Sequence, residues 1–365
     1  MMGYRALAFI CSFLLFVQRT DGFSNVQPLS YGRSKNVGLS SSFSVLSSMR
    51  APINGRDISV ERSLSNLMAT KEESEGAEVE IEKADEEAVD EKIAGRKKRL
   101  KIGYQVASMS YVGTSLVGLF SWGSLSASAF YYAVGGGPLT MAVILYIIKG
   151  ASVHDRLGSD TYKRLNIAVM SYALIQLLMP TGNLGWPVSA SVKVPGFLAL
   201  VNGLKGYGYG CLGWDKSKSA STVLTDIKGG VESTLKSLTT VKAKSAGYLL
   251  GTLLLGSMFC LKLKELCSMS FSSAEAVTRL SKLARFGLMT TVMYTLKDAS
   301  DRDRLSGTTF VQLNLLAAAA FLSISLYLLP TYGTLLSNAQ ILTTSGLFAM
   351  TLLKGLANSF SEGRL

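Results

Sequence analysis

The chain has 365 residues, 48% of them hydrophobic and only 17% charged, with a formal net charge of +12. Soluble domains carry about 25% charged residues, so this composition excludes a disordered chain and argues against an ordinary water-solvated enzyme. One His and four Cys exclude a disulfide scaffold, and a mean hydropathy of +0.29 points to a polypeptide solvated by lipid.

Residues 1–22 open with a short positive start, Met1–Arg5, and run into an apolar stretch from Ala6 to Val17, closed by Gln18, Arg19 and Asp21. That length suits the core of a signal peptide and is too short for a membrane span. Phe23 follows Gly22 at the expected cut. Residues 23–70 are rich in Ser, carry Arg33, Lys35, Arg50, Arg56 and Arg62, and have few acids, the composition of a transit peptide. The arrangement resembles the two-part plastid presequence of algae with secondary plastids, such as diatoms, although Asp21 and Ser24 depart from the Ala-rich flanks of that signal. The resemblance covers about the first seventy residues and implies a plastid destination; simple entry into the secretory-pathway membrane is the alternative.

Residues 71–92 hold eleven acids against three Lys, and Arg96, Lys97, Lys98, Arg99 and Lys101 follow. Acid-rich, aromatic-free sequence buries too little apolar area to offset its ordering entropy, so residues 71–102 are expected to be a disordered, acidic then basic tail, or a loose helix, ahead of the membrane body.

From residue 103 apolar runs alternate with short polar links. Spans are expected at 104–122, 128–148, 165–180, 194–214, 246–263, 283–296, 311–330 and 339–356, against the roughly 20 residues a spanning helix needs. An internal repeat organises them. Tyr146, Lys149, Ala151, Ser152, Asp155, Arg156 and Leu157 recur as Tyr294, Lys297, Ala299, Ser300, Asp303, Arg304 and Leu305, and Asn166 recurs as Asn314, at a constant offset of 148. Pro180 corresponds to Pro330, and Leu204, Lys205 and Gly206 to Leu353, Lys354 and Gly355. Upstream, Gly113 and Thr114 align with Gly251 and Thr252. The expectation is an all-α integral membrane protein of about eight transmembrane helices, built as two parallel four-helix repeats over 103–214 and 246–358. An amphipathic linker over 215–245 joins them, and 359–365 form a C-terminal tail. Because an even number of spans returns the chain to its starting side, both termini share a face, and the Lys and Arg bias makes that the side of insertion, the stroma if the address is plastid.

Lys205 with Asn202, and Lys354, are the substrate-pathway candidates, since ionisable residues within spans are costly and mark function. Lys149, Asp155, Arg156, Lys297, Asp303 and Arg304 are expected to clamp the twinned loops through charge-assisted hydrogen bonds. Gly150 and Gly158, with Asp155 and Arg156 between them, are similar to the loop signature of major facilitator transporters, but Ser306 replaces the second Gly in the other copy and that family uses more spans than this body supplies. Gly135, Gly136, Gly137 and Pro138 break the second span. No catalytic set, metal site or cofactor site is expected: His154 stands alone, no CxxC pair occurs, and no Gly-rich phosphate loop follows a strand. The partners expected are the lipid bilayer, a small anionic molecule or ion, and stromal proteins, with no nucleic acid. Two functions follow: a carrier or channel for a small solute in a plastid membrane, or a non-catalytic scaffold binding stromal partners through its acidic tail and basic loops.

Overall fold

Apolar side chains in this protein point both inward and outward. The computed structural model describes residues 89–118, 127–180, 186–214, 221–240, 242–267, 274–331 and 335–361, and among these it is helical with no strand. The N-terminal address therefore lies outside the described residues. Residues 93–365 belong to one unit; of a second unit, residues 24–92, only the last four residues are described.

Helix α1 covers 89–118. Leu100, Tyr104, Ala107 and Tyr111 fall on one helical stripe and are buried, as spacings of three and four require. Of the two expectations for residues 89–102, a disordered tail or a loose helix, the structure shows a helix, because this stripe continues into them and because Arg96 donates to the carbonyl of Trp214. Helix α2 (Ala127–Val134) and α3 (Pro138–Val153) are two parts of one broken element. Next come α4 (Asp160–Leu178) and α5 (Trp186–Leu212), which complete a first half. Helix α6 (Ser221–Thr239) lies in the expected linker, and α7 (Ala246–Cys267), α8 (Ala274–Asp301), α9 (Thr308–Leu328) and α10 (Leu335–Ser361) form a second half. The weakest expected span, 283–296, is the middle of α8, whose 28 residues extend about 42 Å at 1.5 Å per residue.

Helix α4 packs on α5 and on α8, while α9 packs on α10 and on both parts of the broken α2–α3 element. The third helix of each half thus lies against the second helix of the other. Three segments are long and apolar enough to cross a membrane: Tyr131–Val153, Ala243–Leu266 and Thr308–Leu328. Two are interior, with 83% and 72% of their apolar windows buried, whereas only 28% of the Ala243–Leu266 window is buried. The outer face is apolar as well: Ile102, Met109, Phe197, Leu253, Leu342 and Leu353 are all exposed. Together with the three long apolar segments, this exposed hydrocarbon is compatible with a membrane surround. In hydrocarbon, helices associate through close packing instead of apolar burial, which favours small residues at contacts. Gly210 is one example, since a Cβ there would lie 2.6 Å from the carbonyl oxygen of Leu157.

Candidate functional site

The twinned loops share one backbone conformation. Asp155 and Asp303 are the two non-glycine residues with positive φ among those described, at 55° and 53°. Each is the left-handed residue that closes a helix. The Arg156 amide donates to the carbonyl of Ala151 at 3.0 Å, and the Arg304 amide to that of Ala299 at 2.9 Å. These six-to-one bonds define the Schellman end of a helix, where Gly is usual. Asp tolerates the left-handed region, and here its carboxylate is also used: Asp155 pairs with Lys97 at 2.8 Å and Asp303 with Lys244 at 2.9 Å. At Asp303 the hydrogen bond and charge of Lys244 hold the carboxyl below its ordinary range. The clamps therefore run to Lys97, in the third turn of α1, and to Lys244, two residues ahead of α7, while Arg156 and Arg304 are exposed.

The other twins behave unequally. Lys297 is fully buried and bonds Asp301 at 2.7 Å and the Ser237 hydroxyl at 2.9 Å, whereas Lys149 lies 4.0 Å over the ring of Tyr146. The two halves are bridged by Arg164, which pairs with Asp298 at 2.8 Å and lies 4.9 Å over the Tyr294 ring. Arg302 adds a second bond to Asp298 at 3.1 Å. Sequence reading missed this bridge because Arg164 and Asp298 have no charged twin: Gln312 and Gly150 stand at the repeat positions.

Asn166 and Asn314 crosslink helices. The Tyr104 hydroxyl donates to Asn166 Oδ1 at 2.6 Å, and the Tyr248 hydroxyl to Asn314 Oδ1 at 2.6 Å. Each Asn also donates to the carbonyl four residues back, at 3.0 Å. This places Tyr104 opposite Tyr248, an offset of 144, and corrects the register expected from Gly113 and Gly251. The Gly-Thr dipeptides are short and do not govern the packing; the buried hydroxyls need an acceptor and do.

Gly135, Gly136 and Gly137 form the break, with Pro138 at the first position of α3. Gly136 has φ 82°, and a Cβ at Gly137 would overlap the carbonyl of Tyr132. The Thr140 hydroxyl donates to the freed carbonyl of Val134 at 2.5 Å. Packed level with this break is Arg285, whose carbonyl would lie 3.0 Å from a Cβ on Gly136. Arg285 is 5% exposed. Its guanidinium lies 4.2 Å from the Tyr132 ring centre and 5.3 Å from that of Tyr131, and Nη2 donates to the Ser281 hydroxyl at 2.7 Å. Nη1 is buried without a hydrogen-bond partner, and Arg285 makes no ion pair among the described residues. The span expected over 283–296 puts Arg285 at its third residue, near an end; the helix starts at Ala274, so Arg285 lies well inside it.

Lys205 and Lys354 are both exposed, beside the exposed Leu204 and Leu353. They line neither of the two cavities described below. Asn202 is buried, but it packs on Gly103 of α1 and donates to the carbonyl of Leu198 at 2.7 Å. The structure therefore does not bring these three side chains together, and the convergent feature is the break with Arg285. Next to it, a cavity of about 440 Å³ extends between α7, α8, α9 and α10, walled by Tyr131, Phe321 and Tyr327 and reached by Lys262 and Lys282. Tyr131 stacks on Tyr327 with centroids 4.5 Å apart and so stands between this cavity and Arg285. A second, polar cleft lies beneath α6, where Asp226 accepts from Lys163 at 2.5 Å. Burial raises the Asp226 carboxyl, but the bonds from Lys163, Cys211 and Tyr207 outweigh it and hold the group below its ordinary range.

No family model matches the chain, and no curated protein or solved structure matches it significantly.

Proposed function

We propose that this is a multi-pass membrane protein that carries a small anionic solute, built from eight spans in two parallel four-helix repeats with both termini on the stromal side of a plastid membrane. The carrying observation is Arg285: a buried guanidinium with one nitrogen unpartnered, level with a glycine break inside the apolar segment Tyr131–Val153. Removing a cation from water without a counter-charge costs several kcal/mol. Cation–π contacts return about 2 kcal/mol or more when desolvated, which does not cancel that cost. An anion that visits the site completes the coordination. Broken helices beside a buried charge are the usual construction of such transport sites. The plastid and the stromal orientation are supported by the presequence and by the basic residues around the two Asp-Arg loops.

The test is flux of chloride, phosphate and small carboxylates in liposomes containing the purified protein. Wild type is expected to move at least one of them, Arg285→Met to lose that flux, and Lys205→Ala to retain it. An absence of flux for every anion, or unchanged flux in Arg285→Met, overturns the reading. The scaffold reading makes a different prediction: deletion of residues 71–88, which precede α1, removes bound stromal proteins and alters nothing in the liposome assay.

A further inference from the structure

The cavity between α7 and α10 has features that anion carriage does not use. Leu254, Met258 and Lys262 recur every four residues along α7 and share one stripe of that helix, and all three line the cavity. From Leu254 to Lys262 the stripe is about 12 Å long at 1.5 Å per residue. Its inner part is hydrocarbon: Leu254, Met258, Phe286 and Phe321. Lys262, in the last two turns of α7, and Lys282, in the third turn of α8, both line the cavity. Arg279 and Glu265 stand close by, with Glu265 pairing Lys262 at 2.5 Å and Arg279 at 3.7 Å; among the described residues, Lys262, Lys282 and Arg279 therefore meet the one acid Glu265 at this end of the cavity. The charge separation matches an amphiphile with an anionic head.

The flanking surfaces identify the source. Leu261 on α7 is 54% exposed and Leu342 on α10 is 76% exposed, so the helices bordering the cavity present uncovered hydrocarbon outward. An acyl chain entering from the side meets hydrocarbon at Leu261 and Leu342, beside the hydroxyls and amide of Thr343, Thr344 and Gln340 that also line the cavity. The volume, about 440 Å³, lies within the range of about 300–1,000 Å³ that encloses a small-molecule ligand. We infer that this cavity holds one acyl chain of an anionic phospholipid from the surrounding bilayer, with its phosphate against Lys262 and Lys282. The inference rests on the membrane reading but not on carriage.

Native mass spectrometry tests it on the full-length chain in non-ionic detergent, supplied with phosphatidylglycerol, phosphatidylcholine or oleate. Wild type is expected to retain one phosphatidylglycerol at least about tenfold better than phosphatidylcholine, a difference of about 1.4 kcal/mol. The Lys262→Gln/Lys282→Gln double variant is expected to lose that preference. Met258→Trp, which fills the cavity and leaves both charges, is expected to lose the bound lipid. Equal retention of the two phospholipids by wild type, unchanged retention in Met258→Trp, or retention of oleate in place of phosphatidylglycerol overturns the inference. Because binding is measured without flux, lipid retained by a protein that moves no anion leaves this inference standing and removes only the carrier reading.

Discussion

Tyr104→Phe and Tyr248→Phe remove one hydroxyl from each half and leave everything else in place. Tyr104, Asn166, Tyr248 and Asn314 are all fully buried, and both hydroxyl-to-amide bonds are 2.6 Å. Leaving a buried acceptor unsatisfied costs about 1–3 kcal/mol in a water-soluble core. Between helices in a bilayer the measured couplings average about 0.6 kcal/mol and reach about 1.7, because the separated helices also find partners. The expectation is therefore about 1 kcal/mol for each substitution, equal in the two halves. The double variant should lose the sum, since the two sites share no partner. At about 2–4 °C per kcal/mol, thermal unfolding in detergent should show a fall of a few degrees for each single change and twice that for the pair. The reasoning fails if either Tyr→Phe variant unfolds at the wild-type temperature, or if one half responds and the other does not.

Arg164→Leu should lower stability by about 2 kcal/mol, less than the roughly 3–5 kcal/mol for breaking a fully buried pair, because Arg302 still reaches Asp298; thermal unfolding measures it. At the left-handed position, Asp303→Ala should cost about 1 kcal/mol while Asp303→Gly should be neutral or stabilising, since the ion pair it removes is exposed and worth little; chemical unfolding of both variants checks this. The Asp226 carboxyl titrates below its ordinary value of about 3.9 in the folded protein, so its contribution to docking α6 is present above that value and lost as pH falls through the lower folded one. Hydrogen exchange over residues 221–239, corrected for intrinsic rates, should be slow at pH 6 and speed up progressively as the pH is lowered below about 3.9, and Asp226→Asn should be fast at pH 6 already; slow exchange in Asp226→Asn would contradict the assignment.

How much of this was legible depended on what each residue had to satisfy. The Asp-Arg loops were readable because they recur in register, and the structure gives both the same left-handed turn. That their clamps run to Lys97 and Lys244 was not readable, because those lysines belong to basic stretches with no distinguishing spacing. Asn166 and Asn314 could be read as twins from their constant offset, but the helix that partners them was mis-registered: a single buried Tyr in each half carries the pairing, and short Gly-Thr matches offered more identities. Lys205 shows the limit of depth arguments. Sequence distance locates a residue along a helix, while its rotation about the axis decides whether it faces a neighbour, and Lys205 faces outward with Leu204. Arg285 shows the reverse, for α8 begins at Ala274 and carries a charge inward that seemed to stand at an entrance.

Two single cysteines decide the central claim of a duplicated module standing twice with the same polarity. Gly158 and Ser306 are exposed in the two loops, so Gly158→Cys and Ser306→Cys in a chain without its native cysteines report the faces directly. In sealed, oriented vesicles a membrane-impermeant maleimide should label both from the same side and neither from the other. Labelling from opposite sides would contradict the account.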